Sequence, residues 1–125
     1  MNVARLQITI SSPRLKKSRT ISMMNYLRGL ALNSENVTII TKPVSEYKNV
    51  ETETVKELLD QLALAGFTVI QHSSIHQKFI IIDEQIVWYG SINLFAYGRA
   101  PETMLRFVNQ DIAGEIAENI NKSDT

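Results

Sequence analysis

The sequence has no cysteine, no net charge and no long apolar run, and each absence narrows what the chain can be. Without cysteine there are no disulfides and no thiolate metal sites, which fits a reducing cytoplasm. No stretch approaches the ~18 apolar residues that suggest a membrane-spanning helix, and the N-terminus carries no apolar signal core. Thirteen Lys and Arg balance thirteen Asp and Glu, so overall charge announces no nucleic-acid partner. Internal repeats and low-complexity segments are absent too. What is present is 125 residues with 44% hydrophobic content, the size of one soluble domain with enough apolar material for a core. Residues 1–125 are therefore expected to form one domain. Met1 to Arg5 leaves almost nothing before the first strand and Lys122 to Thr125 reads as a frayed tail, which suits a module cut from a longer protein.

The balanced charge is unevenly spread. Arg14, Lys16, Lys17 and Arg19 crowd one short segment, while acids concentrate in Glu46 to Asp60 and after Asp111. A local basic patch can hold a polyanion even on a neutral protein. Leu6 to Ile10 alternates as a strand should, and Ser12 and Pro13 suit the cap and first position of a helix running to about Leu32, with Ile21, Met24, Leu27 and Ala31 at helical spacing. The basic cluster then falls in the first helical turns. Cations are disfavoured there by the macrodipole, unless an anion binds; a solvated charged face is the plainer reading.

Val37 to Thr41 reads as a second strand stopped by Pro43, and Lys42 to Val50 as a polar loop in which Tyr47 covers the core. Thr54 with Glu57 forms a capping-box pattern, and Val55, Leu58, Leu59 and Leu62 draw an apolar stripe that Gly66 ends. Phe67 to Ile70 is the third strand. Alternating strands and helices imply parallel pairing through right-handed crossovers. Two further strands, a sixth at Met104 to Val108 and a closing helix striped by Ile112, Ile116 and Ile120 complete the order. Phe79 to Ile82 is apolar on both faces and demands cover on both. The expected fold is a three-layer α/β/α sandwich with a mixed, mostly parallel sheet.

Chemistry concentrates in residues 76–93. Lys78 to Ile82 and Ile86 to Tyr89 are β-branched and aromatic runs separated by Asp83, Glu84 and Gln85, the pattern of a hairpin with a short polar turn. With Glu84-Gln85 as the loop and Asp83 opposite Ile86, the register sets Lys78 against Ser91 and His76 against Asn93. An imidazole, an ammonium, a hydroxyl and an amide then gather at the open end of an apolar hairpin. Such groups cost free energy there unless something partners them, and the set suits a phosphate with a nucleophile beside it.

The arrangement His76-x-Lys78, four residues, Asp83, six residues, Gly90-Ser91-x-Asn93 resembles the signature of the phospholipase D superfamily. The whole chain is also similar to that family's single-motif modules, the nuclease-like domains at the end of some bacterial DNA helicases and in some restriction enzymes. The resemblance implies a phospholipase D-like α/β/α sandwich and phosphodiester hydrolysis with no metal or other cofactor. His76 would attack phosphorus to give a phosphohistidine, and Lys78, Ser91 and Asn93 would hold the non-bridging oxygens. Asp83, at the far end of the hairpin, and Gly90 would be structural. The family's downstream carboxylate, which steadies the histidine, has its candidate in Glu102.

Because the family chemistry uses two histidines and this chain carries one motif, the expected arrangement is a homodimer across a two-fold axis. The alternatives are a second motif elsewhere in a parent protein and a module that is only half a site. His72 is a poor substitute, and zinc held by His72 and His76 lacks further ligands. Among substrates DNA leads RNA, with Arg14, Lys16, Lys17, Arg19 and Arg99 as the phosphate track, joined by Arg106. Two rivals stand beside this cytoplasmic endonuclease: a catalytically silent nucleic-acid-binding or dimerisation module fused to a helicase or restriction protein, and a phospholipid-directed diesterase. No membrane anchor is expected. Trp88, Tyr89 and Phe95 could stack on bases, but read more simply as core.

Overall fold

The computed structural model describes residues 7–29, 36–90, 95 and 104–123. Its elements in order are β1 (Ile8–Ser11), α1 (Lys17–Gly29), β2 (Val37–Thr41), α2 (Thr52–Leu64), β3 (Thr68–Gln71), β4 (Lys78–Ile82), β5 (Ile86–Gly90), β6 (Met104–Val108) and α3 (Gln110–Ser123). Two single-turn 3-10 helices, Val44–Glu46 and Asn49–Glu51, lie between β2 and α2. The strands form one mixed sheet in the order β3-β2-β1-β4-β5-β6. β1 to β3 pair in parallel, and β4, β5 and β6 add antiparallel pairings on the other side of β1.

Alternation along the strands divides the core between two faces. Ile8, Ile10, Val37 and Ile39 pack with Met24 and Leu27 of α1 and with Val55, Leu58, Leu59 and Leu62 of α2. Ile40, Phe79, Ile81 and Val87 pack on the opposite face with Ala113 and Ile116 of α3. This is the expected three-layer sandwich with a mixed sheet, but its pairings are not mostly parallel. Two are parallel and three antiparallel, because β4, β5 and β6 follow β3 without crossover helices. The continuous apolar run of β4 follows directly, because Ile80 and Ile82 serve one cluster and Phe79 and Ile81 the other. Among the described residues no helix is long and apolar enough to cross a membrane.

Three local expectations are corrected. α1 begins at Lys17 rather than Pro13, and its first-turn bond runs from Thr20 N–H to the Lys16 carbonyl at 2.8 Å. Residues 12–16 are held as a connector instead. Leu15 enters the core, and the Ser12 hydroxyl donates to Arg14 O at 2.8 Å, so Arg14 precedes the helix rather than joining its first turn. The expected end near Leu32 lies outside the described residues. α2 begins at Thr52, which places Thr54 inside the helix; Thr52 Oγ1 donates to Asn49 O at 3.0 Å.

The stop at Gly66 is as the sequence implies. With φ of 96°, Gly66 allows its own N–H to reach Ala63 O at 3.0 Å and that of Phe67 to reach Leu62 O at 3.1 Å. Those two bonds satisfy carbonyls that the helix end leaves open.

Candidate active site

β3 is an edge strand while β4 sits beside β1, so residues 72–77 must cross the carboxyl ends of β2 and β1. The gap is three strand spacings, about 14 Å, well within the ~23 Å that the chain from Gln71 to Lys78 can reach. Length leaves slack, and hydrogen bonds remove it. At β2, His72 N–H donates to Thr41 O at 2.8 Å. At β1, the buried Ser11 hydroxyl donates to Gln77 O at 2.6 Å. Between them the Ile75 side chain is buried in the core on the α3 face.

His76 is delivered by this crossing segment, and its side chain is exposed at the carboxyl edge of the sheet. Lys78, the first residue of β4, is half-buried, and its Nζ donates to the His76 carbonyl at 3.2 Å. Lys78 shares the strand face of Ile80 and Ile82, the face covered by α1 and α2. An imidazole able to act as nucleophile or acid–base near neutrality is thus carried on a backbone whose carbonyl holds the Lys78 ammonium, at the sheet edge where open α/β sheets commonly bind ligands.

The hairpin register differs by one residue from the expected one. β4 and β5 pair Ile82 with Ile86, Phe79 with Tyr89 and Lys78 with Gly90, so Lys78 faces Gly90 rather than Ser91. The cause is the connection. Asp83 and Glu84 both take positive φ, 53° and 62°, and Gln85 N–H closes on Ile82 O at 3.2 Å, leaving three residues between the paired ends. Asp83 fixes this turn to the chain before β1: its N–H donates to Gln7 O at 2.8 Å and its Oδ1 accepts from Gln7 N–H at 2.8 Å. It lies at the opposite end of β4 from His76.

A family model described as cardiolipin synthase, PLD-like domain, matches residues 1–123. The chain belongs to the phospholipase D superfamily. Its six-stranded mixed sheet agrees with a PLD-like fold, and phosphodiester chemistry is the reaction class that membership brings. No curated protein matches the chain.

Within this PLD-like domain, Phe95 joins the motif to the start of α1. Its N–H donates to Ser12 Oγ at 3.1 Å, and its carbonyl accepts from Lys16 N–H at 2.8 Å and Thr20 Oγ1 at 3.0 Å. Phe95 is fully buried, which removes it as a base-stacking residue. Ser91 and Asn93 fall in sequence between Phe95 and Gly90, the partner of Lys78, but lie outside the described residues, as do Arg99 and Glu102.

Lys16 and Lys17 are exposed where the motif is tied to α1, and Arg14 forms an ion pair of 3.8 Å with Glu51. Arg19 is half-buried. Tyr89 stacks on Phe79 with ring centroids 6.2 Å apart, and Arg106 lies 5.8 Å from the centre of the Trp88 ring. His72 is buried, with Nδ1 3.0 Å from Ser73 O.

Sequence reasoning passed over Glu46. From the 3-10 turn after β2, its Oε2 accepts from Ser73 Oγ at 2.7 Å, and both its oxygens accept from Ser74 N–H, at 3.0 and 3.2 Å. The Ser73 hydroxyl first, then the Ser74 amide, with smaller help from the charges of Lys42 and His76, hold its carboxyl below the ordinary range. The next residue, Tyr47, is buried, and its hydroxyl meets Thr41 Oγ1 at 2.6 Å and Pro13 O at 3.0 Å. Burial pushes its hydroxyl up to about 12, against the opposing effect of the Thr41 bond.

Proposed function

We propose that this domain is a metal-independent nuclease that cleaves DNA through a phosphohistidine formed on His76. The observation that carries the reading is the exposed imidazole of His76 at the carboxyl edge of the sheet, with the Lys78 ammonium bonded to the His76 carbonyl, within a chain of phosphodiesterase ancestry. A ring nitrogen of His76 attacks phosphorus, and the bond to the leaving oxygen breaks as that oxygen takes a proton from a second motif histidine. The second histidine then removes a proton from water, which attacks phosphorus and frees His76. Lys78, with Ser91 and Asn93, stabilises the charge on the non-bridging oxygens, and Glu102 is assigned to steady the imidazole. A second copy of the chain supplies the second histidine. The exposed Lys16, tied to Phe95 through its backbone N–H, and its exposed neighbour Lys17 support a polyanionic substrate, and a cytoplasmic setting suits it.

The test is cleavage of plasmid and end-labelled DNA by the purified chain in EDTA. Cleavage should persist with the chelator, vanish in His76→Ala and fall about 10²–10³-fold in Lys78→Ala. Unchanged cleavage by His76→Ala, or loss of activity with EDTA, would sink the proposal. A second reading draws on the description of the matching family model, a cardiolipin synthase domain, and makes the substrate a phospholipid diester. Turnover of vesicle lipid without DNA cleavage would select it. Wild-type protein that binds DNA and cleaves neither substrate would be a silent binding module.

A further inference from the structure

We propose that Glu46 is a positioning residue: its carboxylate, bonded to Ser73 and Ser74, fixes the segment that presents His76. The inference rests on the reading of His76 as nucleophile. Because that side chain is exposed, packing does not aim it, and its direction depends on the backbone of residues 72–77. Two supports of that backbone come from strand ends, Thr41 O at His72 and Ser11 Oγ at Gln77. Between them Ser74 holds a φ of 60°, a left-handed conformation that serine adopts only when its surroundings impose it.

Glu46 supplies the restraint at that point. Its carboxylate takes the Ser74 amide on both oxygens and the Ser73 hydroxyl on one, bonds strengthened by its charge. The base of the clamp is firm as well. Glu46 N–H donates to Pro43 O at 2.9 Å, Tyr47 N–H to Val44 O at 3.0 Å, and the buried Tyr47 hydroxyl ties the next residue to Thr41 and Pro13. An acid near a phosphate site opposes the binding of a polyanion, so its presence calls for another use. Holding residues 73 and 74 is that use.

The experiment combines steady-state kinetics on a labelled oligonucleotide with amide hydrogen exchange on the intact chain. Glu46→Ala should lower kcat about 10–100-fold while leaving KM within about twofold, since a displaced nucleophile loses reactivity rather than substrate affinity. Ser74 N–H should exchange faster than in the wild type. Ser73→Ala removes one contact and spares the carboxylate; it should lose less than Glu46→Ala, and the double variant should be no slower than Glu46→Ala alone. Wild-type kcat in Glu46→Ala, or losses that simply multiply in the double variant, would overturn the proposal. If the wild type cleaves no diester, the nuclease reading fails by itself, and the exchange data decide the clamp: unchanged exchange at Ser74 in Glu46→Ala refutes it, and faster exchange upholds it.

Discussion

Glu46 carries a charge whose value to the fold depends on pH. Its carboxyl is held below the ordinary range, chiefly by the Ser73 hydroxyl, so the folded chain binds the proton less readily than the unfolded one. The resulting stability is fully present above the unfolded carboxylate pKa of ~4.3 and is lost as pH falls through the lower folded value. Thermal melts should therefore show wild type above Glu46→Ala at pH 7, with the gap closing in acid; a gap that widens below pH 4 would contradict this sign. The contact was not legible in the sequence. Residues 27 and 28 positions apart meet there, and Glu46 reads as one acid in a polar loop. His76 and Lys78 were legible because spacing and residue type travel together in the motif.

At the scale of elements, the β4–β5 turn shows where local pattern stops being sufficient. Alternation identified both strands, but two-residue and three-residue loops leave it almost unchanged while moving every cross-strand partner by one. The deciding features are the positive φ angles of Asp83 and Glu84 and the bonds from Asp83 to Gln7, a residue 76 positions away. Glu84 is exposed at a backbone conformation that favours glycine. Glu84→Gly should therefore stabilise by up to about 1 kcal/mol, read as a higher urea midpoint. Asp83→Ala should destabilise by about 1 kcal/mol by leaving Gln7 N–H without that acceptor, and equal midpoints for the two variants would refute this account. The start of α1 was misplaced for a similar reason. Ser12 and Pro13 look like a helix start until Leu15 is buried and the Ser12 hydroxyl is engaged with Arg14 and Phe95.

For the whole molecule, strand and helix order, both core faces and the mixed sheet followed from periodicity, because burial on two sides leaves a strong pattern. The second histidine has no such pattern to betray it. If a two-fold dimer completes the site, each centre needs His76 from both chains. Equal mixing of wild type with His76→Ala, after subunit exchange, should then halve the activity per wild-type chain, whereas self-sufficient centres would lose nothing. Sedimentation of the wild type at twice the chain mass is the accompanying expectation.

The strand order also sets a schedule. β1 is flanked by β2 and β4, so one of its edges stays unpaired until residues 78–82 have been made. At ~5–20 residues per second, that strand waits on the ribosome for roughly 4–14 s with backbone donors and acceptors open to any passing strand. Folding of the centre is correspondingly late. The segment bearing His76 emerges just ahead of the strand that closes this edge, and the Phe95 bonds to Ser12, Lys16 and Thr20 come later still. A nascent chain stalled after β3 thus holds the basic segment and an open sheet edge, but not His76.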